Sequence, residues 1–145
     1  MRFIEEKTAK LCSRLRQLAN KAVGMNLEIT YVKSGYKQGN TPPVDGWQPF
    51  NTDTRIGGFD QHFWFHIPFH SPKVEPQQEV VFQLITGEEG KWDAINPQAM
   101  FYLNGEMLQG LDINHTQVVI PADTDCDVYI YFYIAKSNWT CKNTL

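Results

Sequence analysis

Two segments of this chain alternate apolar and polar side chains with a period of two, and they constrain the fold more than any other feature. Residues 62–67 place Phe63, Phe65 and Ile67 on one side and His62, Trp64 and His66 on the other. Residues 128–134 separate Val128, Ile130, Phe132 and Ile134 from Tyr129, Tyr131 and Tyr133. Because successive side chains of a strand point to opposite faces, both segments are predicted to be strands with one face in the core.

Further strands are predicted on both sides of these two. Residues 27–32 alternate in the same way, residues 80–85 form a mostly apolar run typical of a central strand, and residues 118–120 give another strand. Asn104-Gly105 lies inside a strand-like stretch and predicts a two-residue hairpin with a type I′ turn. Residues 33–60 are rich in glycine and proline, so we expect a long loop that Trp47 and Phe50 attach to the core.

The N-terminus has a different period. Apolar side chains recur at helical spacing at Ile4, Leu11, Leu15, Leu18 and Ala22, and Gly24 is placed to end the helix. The sequence therefore predicts an amphipathic helix over residues 1–24. We expect its apolar stripe to pack against its own domain or an adjoining one, while docking on a separate partner is the alternative.

These elements predict a mostly β fold with a single helix. Many antiparallel strands joined by turns are typical of a two-sheet β-sandwich, and we expect a jelly-roll-like arrangement of the galactose-binding-domain type. The predicted organisation is one domain, with the helix over residues 1–24 and the β-sandwich over residues 25–145. A chain of 145 residues that is 42% hydrophobic is large enough to bury such a core.

Charge and targeting signals restrict the partners and the location. The net charge is −3 and no basic patch stands out, which argues against nucleic acid as a partner. Residues 1–7 lack the apolar core of a secretory signal, and no apolar run is long enough to cross a membrane. We therefore expect a soluble cytoplasmic protein. Its three scattered cysteines, Cys12, Cys126 and Cys141, are expected to be reduced thiols.

The motifs of this chain do not indicate a catalytic or metal site. Glu88, Glu89 and Asp93 are carboxylates of the kind that cleave glycosides, but they surround Lys91 in a glycine-flanked turn, where solvated or structural roles are favoured. A metal site at His62, His66 and His70 is disfavoured because Pro68 is expected to interrupt the strand. The sequence predicts no catalytic residue and no metal ligand.

Two polar faces remain as candidate interaction surfaces. The face with His62, Trp64 and His66 is either a ligand platform or a contact between sheets or domains, and the contact is favoured. The row of Tyr129, Tyr131 and Tyr133 suits a glycan or a neighbouring domain, and a domain contact is again favoured.

Several ordered motifs together resemble one known domain. They are the run 57–65 (GGFDQHFWF), the run 86–93 (TGEEGKWD) followed by Asn96-Pro97-Gln98, the run 102–105 (YLNG) and the run 109–115 (QGLDINH). With the leading helix and the Asp45-Gly46-Trp47 loop, they resemble the N-terminal domain of glycoside hydrolase family 38 α-mannosidases of the cytosolic and bacterial type. The resemblance covers nearly the whole chain.

The resemblance implies a parent enzyme that removes terminal α-linked mannose with retention. An aspartate nucleophile, an acid/base carboxylate and a divalent metal, with zinc the expected ion, would lie on a following barrel domain, and this chain would be a fragment without catalytic residues or a cofactor of its own. It would pack against the catalytic domain and help to shape the mannoside site. The contact residues implied are Asp60, Trp64, Trp92, Asp93, Asn96, Gln109, Asp112 and His115.

Two other functions stay open for the same domain. A carbohydrate-binding module would stack Trp64, Trp92 or the tyrosine row on sugar rings. An oligomerisation domain would use the helix and the tyrosine face to form a homo-oligomer.

Overall fold

A computed structural model describes residues 2–36, 41–89, 91, 97–135 and 140–142. Its elements are one α-helix and ten β-strands, and every strand pair is antiparallel. The predicted mostly β architecture with an N-terminal helix is confirmed. The elements are α1 (Arg2–Ala19), β1 (Thr30–Ser34), β2 (Gln48–Pro49), β3 (Arg55–Gly57), β4 (Gln61–His70), β5 (Val80–Gln83), β6 (Gln98–Leu103), β7 (Glu106–Leu111), β8 (Gln117–Ile120), β9 (Asp125–Ile134) and β10 (Thr140–Lys142).

A six-stranded sheet with the order β2-β1-β4-β9-β6-β7 is the largest unit. Its centre is the pair β4 and β9, which are aligned over ten residues from Gln61 opposite Ile134 to His70 opposite Asp125. Two smaller sheets, β5-β8 and β3-β10, complete the described strands. The two alternating segments of the sequence thus form the longest ladder among the described strands.

The core lies on one face of the six-stranded sheet. Phe63, Phe65 and Ile67 of β4 are buried there, and the two-stranded sheets add Val118 and Ile120 from β8 and Ile56 from β3. The predicted inward faces of both alternating segments are confirmed, since all their apolar members belong to this cluster: Phe63, Phe65, Ile67, Val128, Ile130, Phe132 and Ile134. Burial of each large aliphatic or aromatic side chain stabilises the fold by about 1.5–3 kcal/mol.

The first strand is shorter than the alternating segment that predicts it. Leu27 and Ile29 precede β1, yet both pack against the core together with Tyr31. The amide of Phe50 donates a hydrogen bond of 2.8 Å to the carbonyl of Ile29, which holds this approach to the sheet in place. The side-chain directions are therefore as predicted.

The predicted loop over residues 33–60 contains two short strands, β2 and β3. Trp47 and Phe50 attach it to the sheet on opposite faces, because Phe50 joins the core and Trp47 packs against the cluster on the other side. Attachment of this region by Trp47 and Phe50 is confirmed.

The prediction of a central strand over residues 80–85 is wrong. In the described part of the chain β5 pairs only with β8, and Val81 and Ile85 are 42% and 70% exposed. Val80, Phe82 and Leu84 face the core. An apolar run predicts burial on both faces, but this strand lies in a two-stranded layer that covers the core from one side.

Pro68 does not interrupt its strand, contrary to expectation. β4 continues to His70, and Pro68 lies opposite Asp127 of β9. The pairing with β1 ends at His66, so the other edge of β4 has no described strand beside it at Pro68. A proline is tolerated there because an edge position needs no N–H for a second ladder.

The helix ends earlier than Gly24 and is exposed. Asn20 follows α1 directly, and its backbone amide and its side-chain amide both donate to the carbonyl of Arg16 at 3.2 Å, which closes the last turn. Ile4, Leu11 and Leu18 are more than half exposed, and no helix residue belongs to either hydrophobic cluster. Packing of the stripe against the described part of its own domain is therefore not observed. No helix among the described residues has the length and apolar character to cross a membrane.

The hairpin between β6 and β7 has the turn that Asn104-Gly105 predicts. Asn104 and Gly105 have φ angles of 51° and 87°, as the predicted type I′ turn requires. A Cβ at Gly105 would meet no atom within 4 Å, so a change to alanine introduces backbone strain without a clash. We expect Gly105→Ala to lower the free energy of unfolding by about 1–2 kcal/mol, measured by urea denaturation.

Gly24→Ala is the matched control for this experiment. Its Cβ would also lie in open space, and its φ is outside the left-handed region, so it should leave the urea midpoint unchanged. Equal midpoints for both variants would contradict the assignment of strain to the turn.

Candidate functional site

The face of the six-stranded sheet opposite the core, here called the outer face, unites the two polar surfaces that the sequence predicts. His62 lies opposite Tyr133 and His66 opposite Tyr129 in the β4–β9 ladder, with Trp64 and Tyr131 between them. The ring centroids are 4.9 Å apart in the first pair and 4.3 Å apart in the second, and both pairs are stacked. Direct cross-strand pairing therefore fuses the histidine face and the tyrosine row into one aromatic layer.

One end of the outer face is a groove with a volume of about 660 Å³. Its size suits a small polar ligand or a side-chain cluster of a partner. The lining combines aromatic rings with carboxylates and an amide: Tyr36, Asp60, His62, Gln98, Ala99, Met100, Gly110, Leu111, Asp112, Tyr131 and Tyr133.

His62 is the centre of the polar contacts in this groove. Its Nδ1 is hydrogen bonded to the hydroxyl of Tyr131, its Nε2 lies 3.7 Å from Oδ1 of Asp60, and its ring stacks on Tyr133. Asp60 has a φ of 51°, so a left-handed turn just before β4 directs its carboxylate to this end of the sheet. The side chain of Asp60 is 63% exposed and remains available to a ligand.

The tyrosines of the groove are hydrogen-bonding groups rather than nucleophiles. Burial raises the pKa of Tyr131, and nearby phenols and Asp60 add to the shift. The pKa of Tyr133 is raised by desolvation and by the charge of Asp60. Since both hydroxyls stay protonated at neutral pH, they can donate hydrogen bonds and offer ring faces, but they are not activated for attack.

Asp112 forms the opposite rim through a tight turn. Its Oδ1 accepts hydrogen bonds from the amides of Asn114 at 2.7 Å and His115 at 2.8 Å, and Nδ1 of His115 lies 3.0 Å away. Partial burial acts to raise its pKa, but these hydrogen bonds outweigh burial and lower it. Asp112 is therefore a fixed negative charge at the end of β7.

Apart from Trp64, the predicted contact residues separate into three groups. Asp60 and Asp112 both line the groove, although 52 positions separate them in the sequence. Gln109 lies on β7, where its amide donates to the carbonyl of Gln117 at 2.8 Å, and His115 pairs with Asp112. Three of the predicted residues lie outside the described part of the chain: Trp92, Asp93 and Asn96.

Trp64 lacks the open position that a domain contact, the favoured role, or a ligand platform, the alternative, would require. It is 1% exposed and packs against Tyr102 and Tyr131, so its ring cannot reach a sugar or another domain. The indole Nε1 and the hydroxyl of Tyr102 are buried without a hydrogen-bond partner in the described residues. The strand period correctly assigns Trp64 to the outer face. The loop around Trp47 and the neighbouring rings cover the outer face at this position.

Tyr36, Gln98 and Met100 are lining residues that sequence analysis missed. Gln98 and Met100 alternate with the buried Ala99 and Phe101 along β6, so a period of two was the available signal. Tyr36 follows β1 in a stretch without periodicity, and nothing in the sequence around it indicates the groove.

The histidines do not assemble a metal site in the described residues. Nε2 of His66 donates to Asp127 at 2.6 Å, while Nδ1 and Nε2 of His70 lie 2.7 Å from Asp125 and 3.2 Å from Asp123. Each imidazole has its own carboxylate partners, and no group of three or more possible ligands is present in the part of the chain described.

The carboxylates of the turn after β5 have structural contacts. Glu88 forms an ion pair with Lys91 at 2.6 Å, and Glu89 accepts hydrogen bonds from the amides of Thr86 and Gly87. Burial acts to raise the pKa of Glu89, but the bonds from Thr86 and Gly87 lower it overall. These contacts fit the solvated or structural roles favoured for Glu88 and Glu89, whereas Asp93 lies outside the described residues.

Comparison with known proteins identifies no relative of this chain. No family model, no curated protein and no solved structure matches the chain. The chemistry of the groove therefore rests on its own residues: ring faces, hydroxyl groups and two carboxylates at its rims.

His70 gives the fold a testable pH dependence. Hydrogen bonds to Asp125 and then Asp123 raise the pKa of His70 above its ordinary value of 6.5. The protonated ring is the form these carboxylates favour, so its stabilising effect is complete below that value and is lost as the pH rises through the raised pKa. We expect His70→Gln to remove this fall in thermal stability, measured by melting from pH 5 to 9.

Asp125→Asn supplies the control. It should weaken the same pH dependence in the native background and have no further effect on that dependence in the His70→Gln background. An unchanged pH profile in His70→Gln would contradict the assignment to this ion pair.

Proposed function

We propose that the chain is a non-catalytic domain of a family 38 α-mannosidase that packs against the catalytic domain and helps to shape the mannoside site. Support for the family comes from the ordered motifs, among them the runs 57–65, 102–105 and 109–115. In this proposal the domain is a jelly-roll-like β-sandwich of the galactose-binding-domain type. The two-stranded sheets that close one side of the core support a two-layer arrangement.

The convergence of Asp60 and Asp112 is the observation that carries this proposal. Two residues implied as contacts, from two separate motifs, line one groove. Asp60 is exposed and Asp112 is held ionised by its turn. Such carboxylates accept hydrogen bonds from sugar hydroxyls or from basic side chains of an adjoining domain, and both uses fit the rim of a mannoside site.

Catalysis belongs to the parent's barrel in this proposal. The described residues of this chain contain no activated nucleophile in the groove and no group of ligands for a metal, while the resemblance assigns a retaining mechanism and a divalent metal, zinc, to the barrel. The partners are the catalytic domain and the α-mannoside substrate. A cytoplasmic location and the absence of nucleic acid or membrane partners complete the proposal.

The test uses the full-length protein that contains this chain. We expect it to hydrolyse an aryl α-mannoside, and we expect Asp112→Asn to lower kcat/KM by about tenfold or more. Asparagine keeps the oxygen that accepts the Asn114 and His115 amides, so the change removes charge from the rim and spares the turn.

Glu106→Gln is the matched control, because it also removes one exposed carboxylate but lies outside the groove lining. Its kcat/KM should equal that of the native enzyme. Absence of α-mannosidase activity in the full-length protein would overturn the family assignment, and an unaffected Asp112→Asn enzyme would overturn the role of the groove.

Direct sugar binding is a second candidate function, favoured by the aromatic lining. Tyr133 and Tyr36 offer ring faces beside Asp60, which is the combination that holds a pyranose by stacking and hydrogen bonds. The chain alone would then act as a carbohydrate-binding module. Unlike the domain contact, this function requires no catalytic domain.

Calorimetric titration of the chain with mannose and mannobiose separates the two candidates. Sugar binding predicts saturable heat that Tyr133→Ala weakens by about tenfold, because a stacked ring is lost. Tyr129→Ala is the matched control, since it removes a tyrosine from the same strand face but outside the groove. No heat with either sugar would contradict sugar binding and leave the domain contact as the function.

A further inference from the structure

Helix α1 has a heptad pattern in addition to its amphipathic character. With Met1 at position a, the a and d positions fall at Met1, Ile4, Thr8, Leu11, Leu15, Leu18 and Ala22. Their spacing alternates strictly between three and four residues across the whole predicted helical segment. This is the repeat of a coiled-coil seam, which is narrower than the apolar face of a helix that packs on a sheet.

The seam is exposed in this chain. Ile4, Leu11, Leu15 and Leu18 are 68%, 60%, 56% and 76% exposed, and neither hydrophobic cluster contains a residue of α1. Most of the stability of a helix in a protein comes from packing of its apolar face, and among the described residues no such packing is present for α1. The exposed apolar pattern therefore favours a surface that covers the seam.

We propose that α1 pairs with α1 of a second copy of this chain in a parallel two-stranded coiled coil. A heptad seam is self-complementary, since each a or d side chain inserts between four residues of an identical facing helix. Leu11, Leu15 and Leu18 would supply most of the buried apolar area. This inference does not depend on the proposed mannoside function.

Charges beside the seam determine the orientation. The g positions are all basic, at Lys7, Arg14 and Lys21, while two of the three e positions, Cys12 and Ala19, are uncharged. In an antiparallel pair the g positions face each other, so cations would meet cations. In a parallel pair Lys7 and Arg14 face the uncharged Cys12 and Ala19 of the partner helix, and no repulsion arises.

An anionic membrane is the competing occupant, because residues 1–22 carry six basic and two acidic side chains, a net charge of +4. A membrane-bound helix buries a wide apolar face. Here the large aliphatic side chains are confined to the narrow seam, and the remainder of the chain carries −7 within the total of −3, which opposes approach to anionic lipid. The second copy is therefore favoured.

Sedimentation equilibrium of the chain tests the proposal. We expect a reversible dimer, and we expect Leu11→Gln with Leu15→Gln to weaken its association at least about 100-fold, since four buried leucine side chains are lost per dimer. Phe3→Gln is the matched control: Phe3 is 67% exposed on the same helix but lies outside the seam, so the dimer should persist. Both variants should melt like the native chain, because the β core contains no helix residue.

Disulfide trapping tests the orientation in a Cys12→Ser background. A parallel pair in register brings position 18 of both helices within disulfide distance, so Leu18→Cys should form a dimer linked through residue 18 on mild oxidation. Gln17→Cys lies on the outer side of the helix and should remain unlinked.

Three results would overturn the proposal. The first is a chain that stays monomeric at every concentration, and the second is a loss of association in Phe3→Gln as large as in the double leucine variant. The third is a monomer that sediments with vesicles of phosphatidylcholine and phosphatidylserine, which would assign the helix to a membrane surface. A dimer in which Leu18→Cys does not link would overturn the parallel orientation.

Discussion

The structure depends on the ten-residue antiparallel ladder between β4 and β9. It joins the two alternating segments so that Phe63, Phe65 and Ile67 face the same core as Val128 and Phe132. A shift of one residue in this register would move the core side chains of the shifted strand to the outer face, so burial fixes the register strongly. The same register aligns the polar faces, and the groove follows from it.

The aromatic layer of the outer face is a direct product of that alignment. His62 meets Tyr133 and His66 meets Tyr129 because they are opposite residues in the ladder. The outer face is thus covered by its own rings at Trp64 and open at the end where Asp60 and Asp112 lie. The groove therefore lies beside the buried part of the same sheet face.

Predictions from the sequence succeed where a local rule decides the outcome. Asn104-Gly105 forms its turn because both residues accept positive φ, and the inward faces of β4 and β9 follow from the strand period. Predictions from the sequence fail where the outcome depends on which strands lie next to each other. Residues 80–85 resemble a central strand, yet one side of β5 is open, and Pro68 stays within β4 because β1 ends before it.

The sequence by itself determined the strand periods, the hairpin turn, the heptad spacing of α1 and the type of each polar group, because these depend on residue identity at short separation. Only the tertiary structure decided that Trp64 is buried while Asp60 stays exposed, and that Asp60 and Asp112 share a groove. Such facts depend on which strands become neighbours. The strand neighbours are selected by burial of the whole core. No single segment of the sequence contains enough information to specify them.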